Sequence, residues 1–87
     1  MALNGEIVSG EFDSRAQAFI LQKVKHFSTE TILSKKQLNA LFDYLTENRR
    51  EEDGQVLTLY DQVLVRLNQE EVEQFINDLD TIKSRFQ

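Results

Sequence analysis

Apolar positions along most of this chain recur in steps of three and four, the spacing that gathers side chains on one face of an α-helix. The pattern is clearest over 34–50, where Leu38, Leu41, Phe42 and Leu45 form one stripe. Ser34 stands at the N-cap and Gln37 follows three residues later. That is a capping box, in which side chains satisfy two backbone N–H groups of the first turn. Leu33 is placed to staple onto Leu38. Asp53-Gly54 supplies a stop, because glycine adopts the left-handed conformation that follows many helices.

A second strong pattern runs over 68–86. Val72, Phe75, Ile76, Leu79, Ile82 and Phe86 make an unbroken apolar seam. Asn68 opens it, with Glu71 three residues on, and acids stand early while Lys83 and Arg85 stand late. That polarity suits the helix dipole.

Over 14–27, Ser14 and Gln17 form another cap-like pair, and Ala16, Ile20, Val24 and Phe27 share a helical face. Segment 55–67 is the most apolar of all. Val56, Tyr60, Val63, Leu64 and Leu67 predict a helix near the middle of a bundle. Two strands, VLTLY and VLVRL, are the rival reading, but Asp61-Gln62 is a poor tight-turn pair.

Residues 28–33 read as a connector pinned by Ile32 and Leu33. Only three residues precede the Asn4-Gly5 turn signal, so 1–13 reads as an irregular or briefly extended arm with Phe12 tucked onto the core. The expected architecture is all-α: a small four-helix bundle with helices at 14–27, 34–50, 55–67 and 68–86. It forms a single helical domain, 14–87, behind that arm. The alternative is α+β, with 5–12 and part of 55–67 as strands. Leu33-Ser34-x-x-Gln37-Leu38 echoes Leu67-Asn68-x-x-Glu71-Val72 at an offset of 34. Two capped amphipathic helices resemble each other by default.

Composition narrows the chemistry. The 87 residues contain no Cys and no Pro, which removes disulfides, thiolate nucleophiles and Cys-based metal sites. The three glycines are isolated at 5, 10 and 54, so no phosphate loop is present. His26 is the single histidine, with no convergent carboxylate spacing to complete a metal site or a general base. A calcium loop placing Gly54 at position six would put Arg49 at one and Tyr60 at twelve, where carboxylates are required. No catalytic, metal or cofactor-binding residue is therefore expected, and no small-molecule substrate is inferred.

Net charge is −5, and residues 51–87 carry three basic against nine acidic side chains. An acidic balance disfavours nucleic acid. The N-terminal stretch has no export-signal pattern, and no segment approaches the roughly 20 apolar residues of a membrane helix, so a cytoplasmic protein is expected. The leading functional expectation is a small non-catalytic protein–protein interaction module, an adaptor or regulator of a larger assembly. Its partner is another protein or a second copy. Leu21 and Val65, which fall off the predicted apolar stripes, are the candidate partner-binding residues. The alternative is a transcription-associated nucleic-acid binder using Lys35-Lys36 and Arg49-Arg50, although Asp43 and Glu47 between them oppose a phosphate backbone.

Overall fold

The computed structural model describes residues 2–58 and 64–86. Among them are six strands and two helices: β1 (Ala2–Asn4), β2 (Val8–Asp13), β3 (Ala18–Val24), β4 (Phe27–Ser34), α1 (Lys35–Glu47), β5 (Gln55–Thr58), β6 (Leu64–Leu67) and α2 (Gln69–Lys83). The chain is not a four-helix bundle. Strands β1 to β4 form an antiparallel meander in chain order, and β5 and β6 form a separate two-stranded hairpin. The α+β alternative lies closer to this result than the all-α reading does.

The two strongest helix signals hold. Both capping boxes close: Ser34 with Gln37, and Asn68 with Glu71. α1 ends at Glu47, before the polar run 48–53, and Gly54 follows with φ +76. Val72, Phe75, Ile76, Leu79, Ile82 and Phe86 are all buried, as the seam requires.

The predicted helix at 14–27 is instead a turn and β3. Register with β4 pairs Phe19 with Leu33 and Leu21 with Thr31, then shifts between Leu21 and Lys23. That bulge makes the inward positions run Phe19, Leu21, Val24. A step of two followed by a step of three hides the strand alternation and resembles helical spacing. Ser14 caps nothing. Asp13 Oδ1 accepts the N–H groups of Arg15 and Ala16, and Gln17, at φ +50, donates its side-chain amide to the Ser14 carbonyl. This is an Asx turn between β2 and β3.

The described parts of segment 55–67, Gln55–Thr58 and Leu64–Leu67, are likewise strands and not helix. In β5 and β6 burial alternates strictly, with Leu57, Val65 and Leu67 inward. Asp61-Gln62, and with it the centre of the predicted helix, lies outside the described residues. The N-terminal arm is a paired hairpin: Ala2, Leu3 and Asn4 oppose Glu11, Gly10 and Ser9. Three residues suffice because β2 is itself held on its other side by β3. Phe12 does pack against the core and meets the Phe86 ring edge-on at 4.9 Å between centroids.

One face of the meander supplies Val8, Phe19, Leu21, Val24 and Leu33 to a core completed by Leu38, Leu45 and the α2 seam. α1 and α2 run antiparallel: Lys83 Nζ lies 4.1 Å from the Phe42 ring centroid, while Arg49 approaches Glu73 at 3.9 Å at the opposite end. Each helix is entered directly from a strand, β4 into α1 and β6 into α2. The 34-residue echo thus marks a strand–cap–helix unit used twice.

Candidate functional site: an exposed apolar face and a polar junction

Leu21 and Val65 do not form an exposed patch. They are 1% and 0% exposed and belong to the core, Leu21 on the inner face of β3 and Val65 on the inner face of β6. The expectation that they lie off an apolar face came from reading strands as helices. Among the described residues, the large apolar side chains that do reach solvent are Ile32 (52% exposed), Tyr44 (46%), Val56 (51%) and Leu64 (62%).

Two of these share a surface. In the β5–β6 register Val56 opposes Arg66 and Thr58 opposes Leu64. Strand side chains alternate between faces, so these four residues stand together on the face opposite Leu57, Val65 and Leu67. Val56 and Leu64 are diagonal neighbours there, within reach of one another. Arg66 and Thr58 complete the face, and Arg66 makes no ion pair among the described residues. The signal was present in the sequence: period-two alternation through Val56, Leu57, Thr58 and through Leu64, Val65, Arg66, Leu67 separates the two faces.

Tyr44 borders this hairpin from α1. Its hydroxyl donates to Gln55 Oε1 at 2.8 Å, and Gln55 Nε2 donates to the Asn48 carbonyl at 3.2 Å. The start of β5 is thereby tied to the end of α1.

A polar junction fixes the β6 strand at the same open end of the hairpin. Lys25 occupies the two-residue turn between β3 and β4 with φ +58, a conformation an L-residue adopts at some cost. Three contacts hold it there. Its N–H donates to the Ile7 carbonyl at 2.9 Å, and its ammonium donates to the Arg66 carbonyl at 3.1 Å and pairs with Glu71 Oε2 at 2.8 Å. Glu71 meanwhile accepts the Asn68 N–H through Oε1 at 2.9 Å. Burial pushes the Glu71 carboxyl up, but the Lys25 hydrogen bond, the Asn68 N–H and the charges of Lys25 and His26 outweigh it. The net pKa lies below the ordinary value of 4.5.

Next to this junction, and joined to it through Ile7, Asp78 is the one buried carboxylate among the described residues, and the sequence reading missed it. Its Oδ1 accepts the Glu6 N–H at 2.9 Å, and its Oδ2 accepts those of Ile7 at 2.8 Å and Val8 at 2.9 Å. It is a clasp between α2 and the β1–β2 turn. Gly5 permits it, because a Cβ there would overlap the carboxylate. With all three donors supplied by the chain itself, Asp78 is not presented to a substrate.

His26 is exposed and stacks on Phe27, with ring centroids 4.3 Å apart. No group of three or more His, Asp or Glu side chains able to hold a metal ion occurs among the described residues. None of the helices among them is long and apolar enough to cross a membrane. No protein-family model, curated protein or solved structure matches this chain.

Proposed function

We propose that this chain is a non-catalytic protein–protein interaction module that engages its partner through the outer face of the β5–β6 hairpin. The observation carrying this reading is the diagonal pair Val56 and Leu64, each more than half exposed on a hairpin whose described inner residues, Leu57, Val65 and Leu67, belong to the core. Large apolar side chains held in water on paired strands are an interaction feature, since burying them against a partner gains about 25 cal/mol per Å² of apolar area removed from water. Arg66 adds a requirement for a carboxylate on the partner beside the apolar contact. A regulator or adaptor of a larger assembly uses such a face, and its partner is another protein.

Photo-crosslinking tests this reading. A photoreactive residue at Leu64 should give one discrete protein adduct in cells of the source organism, and the same residue at exposed Asn77 on α2 should not. Leu64→Asp should remove an adduct formed from position 56 while leaving the melting temperature nearly unchanged, because surface substitutions move stability by only about 0.5 kcal/mol. Equal adducts at 64 and 77, or none at 64, would reject the assignment.

A further inference from the structure

The charges on α1 run against its own dipole. No acid stands in its first turn and no base in its last; the helix opens with Lys35 and Lys36 and closes with Glu47. α2 follows the opposite, favourable order, with Glu70 and Glu71 first and Lys83 last. α1 buries Leu38 and Leu45 and turns Lys36, Ala40, Asp43 and Glu47 to solvent. At 100° per residue these four side chains fall within an arc of roughly 60°. None of them forms an ion pair among the described residues.

This face is self-complementary. Lys36 precedes Ala40 by four residues and Asp43 follows it by three, so opposite charges stand one turn to either side of a methyl group. A two-fold axis at Ala40 lays a second α1 antiparallel on the first. Lys36 of each copy then meets Asp43 of the other, two residues that stand only about 20° apart round the helix. Ala40 lets the two helix axes approach to the roughly 8 Å of close-packed pairs. The lysines, misplaced at the start of their own helix, then lie beside the negative C-terminal half of the neighbouring one.

We propose that the outer face of α1 is a homotypic docking surface, through which a second copy of this chain binds antiparallel across Ala40. The surface is separate from the hairpin face of Val56 and Leu64, so neither assignment depends on the other. A single helix pair buries a small area, and its specificity is ionic, so the dimer is weak and salt-sensitive.

Sedimentation velocity over a concentration series reads it directly. At low ionic strength the mass should rise toward twice the monomer mass of 10.2 kDa, and at about 0.5 M salt it should return to monomer. Lys36→Glu alone and Asp43→Lys alone should each be monomeric, and an equimolar mixture of the two variants should associate because both cross-pairs are restored. Ala40→Arg should block association with the fold intact by circular dichroism. A protein that stays monomeric at low salt up to millimolar concentration, or a dimer untouched by these three substitutions, overturns the proposal.

Discussion

At the scale of single residues, Asp78 and Glu71 bind distant parts of the chain together by different means. Asp78 holds three backbone N–H groups seventy or more residues away in sequence. The Val8 bond is buried and the other two are part-buried, so removing the acceptor leaves much of the donors' desolvation cost. Asp78→Ala should therefore lower stability by about 2–4 kcal/mol, read as a lower urea midpoint at unchanged slope. Gly5→Ala should also destabilise, because the added methyl overlaps the same carboxylate. In the Asp78→Ala background that second cost should shrink, and a double-mutant cycle measures the coupling.

Glu71 acts through its charge. Its folded pKa lies below 4.5, so its contribution is complete above the unfolded value and is lost as pH falls through the lower folded one. Glu71→Gln keeps an acceptor for the Asn68 N–H but loses the charge facing Lys25. Acid titrations of stability should be flatter for this variant than for the parent below pH 4.5, and parallel above it.

At the scale of elements, Phe75→Ala should cost about 3–5 kcal/mol, since Phe75 is fully buried in the α2 seam; thermal unfolding checks it. Leu21→Ala should cost about 2–5 kcal/mol for the same reason, whereas a surface leucine would cost little. α1 and α2 were legible because cap, periodicity and stop agree within one local stretch. The meander was not. β3 carries a bulge that breaks its alternation, and its turn to β4 is Lys25-His26, with neither Gly nor Asn to mark it. Lys25 keeps its left-handed φ through contacts to Ile7, Arg66 and Glu71, none of them nearby in sequence. β5 and β6 are four residues each, too short for period two to outweigh an accidental i, i+4 spacing. The exposed pair Val56 and Leu64 was hidden by the same error that made Val65 look exposed. Asp78 lay unnoticed because its partners are backbone groups, which carry no sequence signature.

At the scale of the molecule, the helices cover one face of the meander and the other face meets water. β4 is an eight-residue edge strand with a single paired neighbour, and its outward face carries Glu30 beside exposed Ile32. A long edge of this kind templates unwanted strand pairing unless a charge interrupts it. Glu30→Val should leave the melting temperature within a few degrees and yet raise light scattering on incubation at high concentration.

The Asp78 clasp also orders events during synthesis. Ribosomes deliver the meander first, since each of its strands pairs with the one just made, but its greasy side is not fully covered until α2 emerges. The newborn hairpin therefore waits, half-finished, for a carboxylate made seventy residues after Val8. A stalled or truncated product lacking α2 leaves Val8 and Phe19 open to chaperones and proteases, so the meander is not safe until α2 has been made.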